Sequence, residues 1–199
     1  MTSPLILASS SEIRRQLLAG AGVDVQISPA RVDEESIKAS LLAENAKPHD
    51  IVDTLAEYKA RRVAQKFTEG LVLGCDQILV FDGKIFSKAE TEHELCDQLM
   101  ELSGARHQLF SAAVIYDAGK PVWRSIGKAQ MHMRKLSRPF VEAYVSRNWS
   151  YIRHCVGGYQ LEAEGVRLFE RVEGDYFSVL GLPLLDILNY LTLRDFLES

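Results

Sequence analysis

The feature that most constrains this chain is an aspartate set inside a hydrophobic hairpin. Residues 71–90 read LVLGCDQILVFDGKIFSKAE. Leu71-Val72-Leu73 predicts a buried strand, Gly74-Cys75-Asp76-Gln77 interrupts it, and Ile78-Leu79-Val80-Phe81 resumes it. Asp82-Gly83 predicts a type I′ turn, which demands positive φ at both central residues. The chain then returns through Lys84-Ile85-Phe86 and brings Lys88 back to the level of the interruption as an inward ammonium. A carboxylate among apolar strands is costly unless something there favours its charge. Two readings follow. Either Asp76 serves a metal ion or a cation-rich pocket, or it sits at a bulge marked by Gly74 and is capped by backbone N–H groups.

The rest of the chain sets bounds on that choice. A length of 199 residues suits one domain, or two closely packed lobes, with a sizeable core. A net charge of −4 argues against a nucleic-acid surface but leaves room for a small anion held by a local cluster. No apolar run is long enough to span a bilayer, and the N-terminal MTSPLILASSSEIRR carries its arginines after a four-residue apolar core, unlike a signal peptide. Cys75, Cys96 and Cys155 are odd in number and lack CxxC spacing, as expected of reduced thiols in a cytoplasmic protein.

Along the chain, Leu5–Ala8 predicts a short strand running into Ser9-Ser10-Ser11 and a helix with Ile13, Leu17, Leu18 and Ala21. Strand, serine turn and helix N-terminus together make a natural anion site. Arg14 shares a helical face with Leu17, Leu18 and Ala21, so it points inward while Arg15 does not. The alternative is a serine cap with a snorkelling arginine. Val23–Ile27 predicts a second strand, and the acidic loop before a helix near 36–43 reads as dipole-complementing caps. A helix from Asp50, its N-cap, to Phe67 carries a stripe Ile51, Leu55, position 59, Val63, Phe67, and position 59 is a lysine. Lys59 therefore points inward toward an anion; the alternative is a snorkelling side chain.

Thr91–Glu94 has capping-box spacing ahead of a scaffold helix through Leu99 and Leu102. Gln108–Tyr116 and Val122–Met133 predict a second hairpin, turning at Asp117–Lys120. Alternation separates His132 from Met131 and Met133, which removes a metal reading there. A short helix over Ser137–Val145, an irregular functional loop over 146–165 with Glu162 and Glu164, strands at Val166–Val172 and Tyr176–Leu180, and a last helix after Gly181-Leu182-Pro183 complete the chain. Strands alternate with helices at both ends while hairpins fill the middle. The fold class is α/β with a mixed, twisted sheet.

Ser9, Arg14, Lys59 and Lys88 seek anions, while Glu34 and Asp76 are carboxylates able to share a divalent metal. Phosphates, a metal and an activated water fit this set, and neither a P-loop nor GxGxxG occurs. LILASSSEIRRQLL, the VDE at 32–34, LAEYKA at 55–60, GCDQ at 74–77 with Lys88 beyond, and GDYFSVLGLPL at 174–184 resemble, in order and spacing, the Maf family of nucleoside triphosphate pyrophosphatases, first discussed as septum-formation inhibitors. The resemblance covers almost the whole chain. It implies hydrolysis of a nucleoside triphosphate to monophosphate and pyrophosphate with Mg²⁺, or Mn²⁺ or Co²⁺ in its place. It also implies helices on both sides of the sheet, two lobes around a central cleft as in inosine triphosphate pyrophosphatases, and a homodimer.

Carried over by position, the resemblance implies Asp76 as general base, Ser9, Arg14, Lys59 and Lys88 as polyphosphate contacts, and Glu34 with Asp76 as metal or water-positioning carboxylates. Ala89 stands where the family usually has proline. Gln77 and Glu162 are similar to the branch acting on 7-methyl-GTP; the dTTP/UTP branch usually has Thr and Gln there. A carboxylate accepts guanine N1–H and N2–H₂ side by side, and a methylated, cationic guanine favours it further. Ile13 departs from this branch, where tryptophan is usual and would stack on the base. The dTTP/UTP specificity, a non-catalytic septation regulator and a phosphomonoesterase are the alternatives; the last would release orthophosphate rather than pyrophosphate.

Overall fold

The computed structural model describes residues 4–67 and 69–198. Its frame is a seven-stranded mixed sheet in the order β2-β1-β3-β5-β6-β7, with β4 pairing β3 off that path. The strands are β1 (Leu5–Leu7), β2 (Val25–Ile27), β3 (Leu71–Phe81), β4 (Lys84–Phe86), β5 (Arg106–Asp117), β6 (Lys120–Met133) and β7 (Phe169–Glu173). β1 runs parallel to both β2 and β3, and the other pairings are antiparallel. Both hairpins turn where the sequence places them. Asp82 and Gly83 take φ of 47° and 75°, and Ala118 and Gly119 take 46° and 76°.

The helices are α1 (Glu12–Gly20), α2 (Glu34–Ala43), α3 (Pro48–Ala64), α4 (Glu92–Leu102), α5 (Arg138–Ile152), α6 (Tyr176–Val179) and α7 (Leu184–Leu193), with a 3₁₀ turn at Glu164–Leu168. β3 sorts them through its alternation. Even-numbered Val72, Ile78 and Val80 pack with Ile51, Leu55, Ala56 and Val63 of α3. Odd-numbered Leu71, Leu73 and Cys75 join α1 and α7, and Leu79 joins α4 and α5. One face thus carries α3, and the other carries two separate cores at its two ends.

Several expectations are corrected. β3 is continuous: Gly74 pairs with Val114 and Asp76 with Ala112 without a register shift, so no bulge interrupts it. Gly74 is there for packing, because a Cβ would lie 2.3 Å from the Ala56 carbonyl oxygen and 2.5 Å from the Ala60 nitrogen. α3 begins at Pro48 in the first turn, with Lys47 rather than Asp50 at the cap. α5 runs on to Ile152, well past Val145, and absorbs the start of the irregular loop. The strand expected from Val166 starts at Phe169, after the 3₁₀ turn. Within the strand expected at Tyr176–Leu180, Tyr176–Val179 is helical rather than extended, because Asp175 accepts from the Ser178 N–H and closes a turn where β-branched and aromatic composition suggests a strand. Among the described residues no helix is long and apolar enough to cross a membrane.

Candidate active site

The sheet opens where Asp76 stands. β5 occupies one edge of β3 from Val72 to Val80. On the other edge β1 pairs only with Leu71–Leu73 and β4 only with Leu79–Phe81. Between these two neighbours, residues 74–78 have no strand partner on that side among the described residues. This fork is the floor of a cleft of about 850 Å³, and Ser9, Ile13, Arg14, Glu34, Lys59, Asp76, Gln77, Lys88 and Glu162 all line it. Residues as distant along the chain as Ser9 and Glu162 therefore meet in one place.

Asp76 is 6% exposed and points to the α3 face, where Lys59, 8% exposed, meets it. Lys59 Nζ donates to Asp76 Oδ1 at 2.5 Å and lies 2.8 Å from Glu34 Oε1. Gly74, one pleat before Asp76, lets α3 approach closely enough for this contact. Glu34 comes from the first turn of α2, which Asp33 caps through the Ser36 N–H. Burial works against the Glu34 carboxylate, but Lys59, Lys88 and Lys38 outweigh it and hold its pKa below the usual value. Asp76 Oδ2 has no hydrogen bond among the described residues. One oxygen is held by an ammonium, and the residue lines the wall of the cleft.

Arg14 is 8% exposed, as its helical face predicts. Its Nε donates to the Gly181 carbonyl at 2.8 Å, and Nη1 donates to the Cys75 carbonyl at 3.0 Å and to Ser9 Oγ at 3.3 Å. Nη2 has no acceptor among the described residues. Ser9 Oγ also accepts from the Ser11 N–H at 3.2 Å, so this hydroxyl shapes the turn before α1 and faces the cleft as well. Arg15, by contrast, lies outside with Glu12.

Gln77 points to the face opposite Asp76. Its Nε2 donates toward Ser111 Oγ (2.9 Å), Ser178 O (3.1 Å) and Val179 O (2.9 Å), which fixes the amide orientation because both main-chain partners are acceptors. Gln77 also lines the cleft. Glu162 and Ile13 line the same space, Glu162 exposed and Ile13 half-buried. Lys88 corrects an expectation: it is exposed on the loop after β4 rather than inward. Ala89 behind it is buried against the α4–α5 core, and Ser87 ties the loop to α4 and α2 through Gln98 and Lys38.

Tyr159, from the stretch expected to be a functional loop, lines the cleft; sequence reasoning did not single out Tyr151 and His154, which line it too. It also missed Ser111. A lone hydroxyl among Leu109, Ala112, Ala113, Val114 and Ile115 was the available signal.

The family model described as "Maf-like protein" matches residues 4–194. The chain belongs to the Maf family. It is 54% identical over all 199 residues, covering both chains completely, to a "Nucleoside triphosphate pyrophosphatase" of Ruegeria pomeroyi. It is 42% identical over 191 residues, 96% of each chain, to a "7-methyl-GTP pyrophosphatase" of Rhizobium etli. A solved dITP/XTP pyrophosphatase from Mycobacterium abscessus overlaps 65% of this chain and 72% of its own at a TM-score of 0.38 and 16% identity, a likeness too slight to argue from.

Proposed function

We propose that this Maf protein, a nucleoside triphosphate pyrophosphatase by its family and full-length relatives, acts on a purine triphosphate of the 7-methyl-GTP kind and keeps modified nucleotides out of nucleic acids. The single observation that carries the chemistry is the buried Asp76 at the fork of the sheet, with Lys59 on one oxygen and the cleft beside it. Water attacking a phosphoanhydride meets a phosphorus already surrounded by negative charge, so cations must offset that charge while a base takes the proton. Asp76 takes that proton at Oδ2. Lys59, Arg14 through Nη2, Ser9 and Lys88 bind the polyphosphate chain, and the 199 residues work as one unit whose two lobes flank the cleft.

Glu34 and Asp76 both converge on the Lys59 ammonium, so the two carboxylates already share one cation between them. Among the described residues no cluster of three or more His, Cys, Asp or Glu side chains occurs. Two carboxylates supplemented by phosphate oxygens and water are the donor set that suits Mg²⁺. These residues would hold it, and it would neutralise phosphate charge.

For the base, Gln77 presents an acceptor and Glu162 offers only acceptors, which supports a base edge rich in donors such as that of guanine. Ile13 contributes apolar contact where an indole would stack. The test is a panel of 7-methyl-GTP, GTP, dTTP and UTP with Mg²⁺, scoring pyrophosphate and monophosphate separately. Fastest turnover of 7-methyl-GTP with equimolar pyrophosphate is expected. A preference for dTTP or UTP overturns the base assignment, and release of orthophosphate alone overturns the bond assignment.

A further inference from the structure

We infer that Ser111 is a positioning residue that sets the guanidinium of Arg14 through the turn Asp175–Gly181, an inference that rests on the pyrophosphatase reading. Ser111 is fully buried in β5. In register it lies between Gln77 of β3 and Gly127 of β6, so the three residues form one row across the sheet. That row marks the seam between the two cores on this face, since Cys75 and Ala113 belong to the α1–α7 core and Leu79 and Leu109 to the α4–α5 core. α6 lies over the seam. Phe177 packs on the first core, Val179 belongs to the second, and Ser178 points down at the sheet.

Four residues of helix cannot hold themselves in place. The row does it for them. Ser111 Oγ donates to the Ser178 carbonyl at 2.7 Å and accepts from Gln77 Nε2, which also reaches the Ser178 and Val179 carbonyls. Gly127 leaves the space that Ser178 fills, because a Cβ there would lie 2.0 Å from the Ser178 hydroxyl oxygen. From above, Asp175 Oδ2 accepts from the Ser178 N–H at 2.7 Å and from its hydroxyl at 2.8 Å. The turn so fixed ends at Gly181, with φ of 96°, whose carbonyl receives Arg14 Nε. The position of that carbonyl decides where Nη2 points. Ser111 does not touch the substrate, and its influence passes through Ser178 and Gly181 to Arg14.

The test is a double-mutant cycle on the full chain with kcat and KM for the best substrate of the panel: wild type, Ser111→Ala, Arg14→Lys and the double variant. A positioning role predicts a roughly tenfold or greater loss of kcat/KM for Ser111→Ala when Arg14 is intact. In the Arg14→Lys background the loss shrinks below about twofold, because there is no guanidinium left to aim. Equal loss in both backgrounds overturns the inference, as does no loss in either. Should Ser111→Ala fail to fold, Asp175→Asn loosens the same turn from outside and takes its place in the cycle. Wild-type protein that turns over no triphosphate overturns the pyrophosphatase reading and this inference with it; an active wild type with an additive cycle overturns only this inference.

Discussion

Asp76 and His107 are both buried on hydrophobic strands and are handled in opposite ways. Asp76 on β3 keeps its neighbourhood charged, with Lys59 against it and Glu34 behind the lysine. His107 on β5 is 1% exposed and faces the α4–α5 core; among the described residues its one side-chain hydrogen-bond partner is the Tyr159 hydroxyl, 2.7 Å from Nε2, and its Nδ1 is unpartnered. Burial therefore pushes its pKa down to about 4 and keeps it neutral. The comparison teaches that burial alone does not make a catalytic group. Where a lysine from a facing helix and the wall of the cleft coincide, the buried carboxylate has a cationic partner beside a space that a ligand can enter. Where neither is offered, the side chain gives up its charge and becomes part of the packing.

The comparison breaks first at Lys59. Lys59→Met leaves two carboxylates facing each other without a cation, one of them buried. It is expected to lower stability by about 3–5 kcal/mol and abolish detectable turnover, read by urea unfolding and pyrophosphate release. Asp76→Asn leaves Lys59 paired with Glu34, so the fold survives while kcat drops by about 10²- to 10⁴-fold. A variant with undiminished kcat would remove Asp76 from the chemistry.

On the neutral side, the unfolded chain binds a proton at His107 near pH 6.5 and the folded chain only near pH 4. Stability from this site is therefore complete above pH 6.5 and lost as pH falls toward 4, by about 3 kcal/mol in all. His107→Gln should flatten that slope in a series of melts at stepped pH. Next in size is Gly74→Ala, which sets a methyl against the backbone of α3 and is expected to cost about 1–3 kcal/mol while raising KM, because α3 carries Lys59. The smallest effect belongs to Glu34→Gln. Its side chain is 39% exposed, and the change should raise the Mg²⁺ needed for half-maximal rate about tenfold, with little shift in melting temperature.

Much of this was legible in the residues themselves. Helical spacing alone aimed Arg14 and Lys59 inward, because a face is a property of the local period and not of the partner it meets. The two hairpins were legible because their turns demand positive φ. What escaped were facts about neighbours. Gly74 reads as a break until α3 is seen resting on it. The fork at residues 74–78 depends on where β1 and β4 stop, which no residue of β3 encodes. Tyr176–Val179 has strand-like side chains, and only the Asp175 cap and the seam beneath it make the turn. Ser111 carries no motif and gains its meaning from the residues across the sheet.

Arg14 also does something that belongs to architecture rather than recognition. On the open stretch of β3 the Cys75 carbonyl faces the side where a neighbouring strand would lie, and the guanidinium supplies the missing hydrogen bond. A side chain is standing in for a piece of backbone. Any substitution there unpicks the middle of the sheet, so its effects should surface as faster amide exchange around residues 74–78 even in protein that has never met a nucleotide.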